Sequence, residues 1–189
     1  GDDILAGGAG NDQINDSGGG DDRLLGGAGD DHLNDSGRGD DEFHGGDGDD
    51  EMIDSGNGDD QFWGGAGNDT MTGGAGDDTF HIDDYTGTAP GHDTIKDFRP
   101  GTDTIDIAGY GKVSGGVQLL GFIASLAVSG RAGAGARVDG DDLVIDYGDG
   151  AGSLTLEGVV GEDGLTAAAI DDAAMPAGTS PASGAAADG

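Results

Sequence analysis

Between residues 1 and 81 large apolar side chains recur at near-regular intervals: Ile14, Leu24, Leu33, Phe43, Met52, Phe62, Met71 and Phe80. The steps alternate between ten and nine residues as far as Met71, and the last step is nine. Five of them stand in the middle of a polar-apolar-polar triplet such as Gln13-Ile14-Asn15 or Glu42-Phe43-His44, and all eight follow a polar residue. That alternation is the signature of a short strand with one face buried. It predicts eight short strands whose central side chains point inward, joined by glycine-rich loops. The position after each apolar residue faces outward. On alternate strands it runs Ala6, Leu25, His44, Trp63, His81, which reads as a cross-strand ladder or as a platform for sugar rings or a partner domain.

After His81 the pattern changes. Longer alternation at 93–98, 102–107, 142–147 and 153–157 predicts strands. Turns are expected at Pro100-Gly101, Asp139-Gly140-Asp141 and Gly148-Asp149-Gly150, and Val117 to Val128 reads as one amphipathic helix. From Asp171 onward Ala, Gly, Ser and Pro dominate, a composition too poor in apolar weight to fold. The expected layout is a repeat array over 1–81, a flank over 82–171 and a disordered tail over 172–189.

The loops repeat as closely as the strands. Gly7-Gly8-Ala9-Gly10 returns as Gly26-Gly27-Ala28-Gly29, Gly45-Gly46-Asp47-Gly48 and Gly64-Gly65-Ala66-Gly67, a period of 19. Between them lie Ser17-Gly18-Gly19-Gly20, Ser36-Gly37-Arg38-Gly39 and Ser55-Gly56-Asn57-Gly58, and Gly73-Gly74-Ala75-Gly76 closes the series. Each unit is nine residues long. Position 5 is always Asp or Asn: Asp2, Asn11, Asp21, Asp30, Asp40, Asp49, Asp59, Asn68 and Asp77. Position 6 is always Asp: Asp3, Asp12, Asp22, Asp31, Asp41, Asp50, Asp60, Asp69 and Asp78. One further Asp, at 16, 35 and 54, precedes each Ser-initiated unit. These three read as register-keeping insertions or as carboxylates standing behind the ligands, and Asp47 as facing water. The chain opens part-way through a unit, which suggests a piece of a larger protein.

Charge turns this pattern into chemistry. The chain of 189 residues has 39 Asp plus Glu against 7 Lys plus Arg, a net charge of −32, with 44 Gly and no Cys. So acidic a chain repels nucleic-acid backbones and anionic membrane surfaces. The longest apolar run is too short and mixed to span a bilayer. Without Cys there are no thiolate metal sites or cysteine nucleophiles. Residues 1–81 alone hold 22 acidic side chains, opposed only by Arg23 and Arg38. One inward side chain per nine residues cannot hold such a chain against its own repulsion and ordering entropy. A cation must supply the difference. Carboxylates, Asn oxygens and carbonyls freed by Gly make an oxygen-only environment that suits Ca2+ at six to eight ligands, so binding would be folding. Were the 19-residue period one turn of a roll, loops starting at 7, 26, 45 and 64 would stack on one edge and those at 17, 36, 55 and 73 on the other. Positions 2, 4 and 6 would then serve one ion and positions 1, 3 and 5 its neighbour. The expected ligands are the position-6 carboxylates, the position-5 side chains and the carbonyls of positions 1 to 4, for about seven ions counted from the interloop gaps.

The nonapeptides match GGxGxDxUx, with U a large apolar residue, and resemble the calcium-binding repeats of RTX proteins. The resemblance implies an all-β fold, a right-handed parallel β-roll with two repeats per turn. The string His92-Asp93-Thr94-Ile95-Lys96-Asp97-Phe98, followed by Gly101-Thr102-Asp103-Thr104-Ile105-Asp106-Ile107, is similar to the flank that follows the roll in serralysin-type and other type I secreted exoproteins. It implies a β-rich cap with one short helix, burying Phe80, Ile82, Ile95, Phe98, Ile105 and Ile107. Asp84 and Asp93 would add a final calcium site. Further implications are secretion through a type I apparatus, an export signal within about 159–189, and an upstream domain as partner. No His-Glu-x-x-His, Gly-x-Ser-x-Gly or phosphate-loop motif is present, so no enzyme is expected within these residues. The rival expectation is a calcium-dependent polysaccharide- or surface-binding module.

Overall fold

In a computed structural model, residues 1–82, 91–108, 110–127, 129, 131–162 and 165–174 are described. The single inward side chain per repeat builds a narrow core between two sheets. One sheet runs in the order β1 (Ile4–Ala9), β3 (Arg23–Ala28), β5 (Glu42–Asp47), β7 (Gln61–Ala66), β9 (Thr79–Ile82), β11 (Thr104–Ile107) and β12 (Gly111–Val113). The other holds β2 (Gln13–Asn15), β4 (His32–Asp35), β6 (Glu51–Asp54), β8 (Thr70–Thr72) and β10 (Gly91–Ile95), then β15 (Gly152–Leu156), β14 (Asp142–Asp146) and β13 (Gly135–Asp139). Pairing through the repeats is parallel at the 19-residue period, as in Leu24↔Phe43 and Leu33↔Met52. The step shortens to 18 where the extra Asp is missing, Phe62 pairing with Phe80. The chain is a parallel β-roll.

All eight residues expected inside are buried. Phe43, Phe62 and Phe80 stack at centroid distances of 4.7 and 5.2 Å, and Phe98 closes the column edge-on. The flank residues Ile82, Ile95, Phe98, Ile105 and Ile107 are buried as well.

Both sheets continue past the repeats. β10 lies parallel on β8, with Ile95 opposite Met71, and β11 parallel on β9, with Ile105 opposite Phe80. The flank therefore begins as one more turn of the roll before β12 to β15 and two helices close over it. Helix α1 (Gly116–Ala127) lies where the amphipathic run predicts, burying Leu119, Phe122, Ile123 and Leu126. Three features differ from the expectation. β12 and β13 are additional strands, and α2 (Ala167–Ala174) is a second helix reaching into the segment expected to be disordered. α2 packs on α1 and β13 through Ile170, which is fully buried. An Ala-rich stretch has high helix propensity, so one large apolar contact suffices to hold it. Residues 175–189 lie outside the described residues.

Candidate metal centre

In the β-roll, a side chain two residues before an inward one shares its face of the pleat. Position 6 precedes the inward position 8 by two, and from Asp22 onward its carboxylates are buried, whereas position 5 is exposed in every repeat. The two columns then reach in opposite directions. Position 6 reaches back to the preceding turn: on the first edge the N–H groups of Asp12, Asp31 and Asp50 donate to Oδ1 of Asp31, Asp50 and Asp69 at 2.7, 2.8 and 2.9 Å. On the second edge Asp3, Asp22, Asp41 and Asp60 donate in the same way to Asp22, Asp41, Asp60 and Asp78. Position 5 reaches forward, the N–H of Asp49 donating to Asp30 Oδ1 at 3.1 Å and that of Asn68 to Asp49 Oδ1 at 2.8 Å.

This corrects the grouping expected from the sequence, which placed position 6 with carbonyls 2 and 4. Position-3 carbonyls reach back together with position 6, the N–H groups of Gly10, Gly29 and Gly48 donating to Ala28, Asp47 and Ala66. Carbonyls of position 2 face forward: those of Gly8, Gly27 and Gly46 lie against the α-carbons of Gly27, Gly46 and Gly65 in the next turn. These three glycines have φ of 119°, 121° and 103°, and a Cβ at any of them would collide with the carbonyl oxygen. Each gap thus receives the position-6 carboxylate of the later loop and the even-numbered carbonyls of the earlier one. The position-5 side chains sit at the outer rim, and those from Asp2 to Asn68 each accept a backbone N–H of the next turn.

The three extra Asp residues are the larger surprise. Asp35 and Asp54 are buried at 0% and 2% exposure, and carboxylate oxygens of Asp3, Asp16 and Asp22 lie within 4.8 Å of one another. The same holds for Asp22, Asp35 and Asp41 and for Asp41, Asp54 and Asp60. They do not stand behind the cluster; they are in it. The cause was readable in the pleat, because Asp16, Asp35 and Asp54 follow the inward Ile14, Leu33 and Met52 by two residues.

Such gathering of like charges is felt in their ionisation. Burial, with repulsion between neighbours as the secondary cause, pushes Asp41, Asp50 and Asp54 up to about 6, Asp78 to about 7 and Asp60 to about 8, and raises Asp35. Backbone hydrogen bonds oppose the rise without cancelling it. Oδ2 of Asp12, Asp31, Asp35, Asp50 and Asp60 is buried with no hydrogen-bond partner.

At the flank end of the second edge a protein cation occupies the gap. The Arg99 guanidinium donates to the Gly76 carbonyl at 2.7 Å and to Asp78 Oδ2 and Asp103 Oδ1 at 3.3 and 3.2 Å. Asp103 stands in the position-6 place there, accepting the N–H of Asp78. On the first edge Asp93 takes the equivalent place, buried and accepting the N–H of Asp69 at 3.1 Å. Asp84, the partner expected for it, lies outside the described residues. On the outer face His44, Trp63 and His81 stack at 4.4 and 4.2 Å with planes within 4°. Both faces of Trp63 are covered by its neighbours.

Against known families, the model described as the RTX calcium-binding nonapeptide repeat, in four copies, matches residues 1–33, 35–53 and 50–80. Residues 1–80 are an RTX calcium-binding repeat array. The solution structure of the AlgE6R3 subunit from the Azotobacter vinelandii Mannuronan C5-epimerase is similar over 92% of this chain and 84% of that one, at 23% identity and a TM-score of 0.39. A search of curated proteins gives no match. The RTX gaps fit the ion their family name carries. Their donors are all oxygen, carboxylates face carbonyls across each gap, and buried carboxylate oxygens without a donor need a cation rather than a hydrogen bond. Among the described residues, no helix is long and apolar enough to cross a membrane.

Proposed function

We propose that the RTX array is a calcium-driven folding switch serving the secretion of a larger exoprotein. The observation that supports this reading is the pair of carboxylate columns at the roll edges, buried from Asp22 onward, in which Asp41 and Asp50 are raised to about 6, Asp78 to about 7 and Asp60 to about 8, with Arg99 as the one guanidinium that reaches a position-6 carboxylate among the described residues. At submicromolar calcium the repulsion opposes folding and leaves a chain that can thread an export channel. At millimolar calcium the gaps fill, the strands zip, and the folded roll draws the chain outward. The role is non-catalytic; the upstream domain it would help to fold carries the activity. About seven ions fill the interloop gaps in this reading. The glycan-binding alternative loses its best platform, since the ring faces of Trp63 are taken by His44 and His81.

The test is far-ultraviolet circular dichroism of the purified chain, titrated from chelator to about 10 mM calcium, with magnesium as control. A cooperative coil-to-strand transition with calcium alone is expected. A spectrum already strand-rich in chelator and unmoved by calcium would overturn the switch.

A further inference from the structure

The two edges of the roll are not equivalent. Each gap on the first edge, between loops starting at 7, 26, 45 and 64, brings position-6 carboxylates of successive turns together and nothing more of that kind. On the second edge three successive gaps hold a third carboxylate, giving the groups Asp3–Asp16–Asp22, Asp22–Asp35–Asp41 and Asp41–Asp54–Asp60. Among the described residues these are the places where three such groups converge within 4.8 Å.

The extra Asp is held there by its own loop. Oδ1 of Asp16, Asp35 and Asp54 accepts the N–H of the glycine two residues on, Gly18, Gly37 and Gly56. A capping role would end at that bond, and Asn would fill it equally well. Asp35 shows that it does not end there. The residue is fully buried, its Oδ2 has no partner, and it shares its cluster with two further buried carboxylates. Asp60 Oδ2, in the next cluster, is likewise buried and without a partner. The arrangement stops where the insertion stops. Gly73 follows Thr72 directly, and Asp97, which comes nearest to it from the flank, uses both oxygens on the N–H groups of Gly73 and Gly74.

We propose that Asp16, Asp35 and Asp54 are direct ligands of the cations in three second-edge gaps, making these three-carboxylate sites that take divalent cations more tightly than the first edge. The inference rests on calcium uptake by the array and says where uptake begins. Ligand charge count is a main determinant of calcium affinity, so the second edge fills first and the first edge zips onto a turn already pinned on one side. The same sites favour a trivalent lanthanide over calcium more strongly than first-edge sites do.

The test is isothermal titration calorimetry of the chain with calcium, alongside the variant Asp16→Asn/Asp35→Asn/Asp54→Asn. Asn keeps the glycine cap and removes only the charge and the free oxygen. The expected result is two classes of site in the native chain and, in the variant, a loss of roughly ten-fold in affinity confined to three sites. An isotherm unchanged by the substitutions would overturn the proposal and leave the three residues as turn caps. Should the triple variant stay unfolded at all calcium concentrations, Asp35→Asn alone decides. Weakening of one site upholds the proposal, and no weakening sinks it. Failure of the native chain to bind calcium at all would instead strike the folding switch itself, so the two failures are distinguishable.

Discussion

At position 6 an Asp side chain does two things that an Asn can only half replace: one oxygen accepts the N–H of the turn before, and the other faces the cation gap. Asp50 shows both, with Oδ1 on the Asp31 N–H and Oδ2 buried without a partner. Its neighbour Asp49 is exposed and bonds the Asn68 N–H from the rim. Asp50→Asn is therefore expected to raise the calcium midpoint of folding several-fold, while Asp49→Asn moves it by less than about two-fold. Calcium titrations of both variants by circular dichroism check this, and equal shifts would place the two columns in the same role. The difference was legible in part. Asn stands at position 5 in Asn11 and Asn68 but never at position 6, and position 6 is in phase with the inward apolar residue. The same phase argument applies to Asp35 and Asp54, which a reading centred on the nine-residue unit treats as insertions and so misplaces. What the residues alone could not give is the direction in which each side chain leans, because that depends on which N–H the stacked turn presents.

At the scale of the strand, stability comes from continuity. Each strand from β2 to β8 contributes one large core side chain, so no other contact on that strand compensates for its loss. Phe62 stacks between Phe43 and Phe80, and Phe62→Ala is expected to cost about 3–5 kcal/mol, read as a higher calcium midpoint and a lower unfolding temperature in calcium. The flank continues this logic further than its sequence suggests. Loss of the glycine period after Gly76 hides a fifth turn, although Asp93-Thr94-Ile95 keeps the spacing of Asp69-Thr70-Met71 and Asp103-Thr104-Ile105 that of Asp78-Thr79-Phe80. Helix α2 was illegible for another reason: one Ile among alanines carries no periodic signal, and only the surface offered by α1 and β13 makes it fold. At the junction Arg99 is the cation. Arg99→Ala leaves Asp78 and Asp103 facing each other uncompensated, and with the side chain 42% exposed the expected loss is about 1–2 kcal/mol, below that of a fully buried pair. Thermal unfolding at a limiting calcium concentration, just enough to fold the native chain, measures the loss. Added calcium is expected to restore much of it, since the Gly76 carbonyl and the two carboxylates then face an ordinary cation gap. A variant as stable as the native chain at that limiting calcium concentration would show that Arg99 is a surface contact only.

Over the whole molecule, the protein is held between two cations, calcium and the proton, that compete for the same oxygens. A carboxyl group in the unfolded chain titrates near about 4. In the folded roll without metal, burial moves Asp41, Asp50 and Asp54 to about 6, Asp78 to about 7 and Asp60 to about 8. Between pH 4 and 8 the folded state therefore binds more protons than the unfolded one. Its stability rises as pH falls through this window and levels off near 4, where both states are protonated. This is the reverse of the usual carboxylate that is stabilised by an ion pair. Calcium must displace these protons, so its apparent affinity falls over the same range in which the metal-free roll gains stability. Two measurements follow from one cause. In chelator, strand content at pH 5 is expected to exceed that at pH 8. In titrations, the calcium midpoint is expected to lie higher at pH 5.5 than at pH 8. A midpoint independent of pH, together with equal disorder in chelator at pH 5 and pH 8, would mean that the buried carboxylates are solvated in the metal-free chain. The barrier to folding would then be backbone entropy and long-range repulsion, with no contribution from their burial.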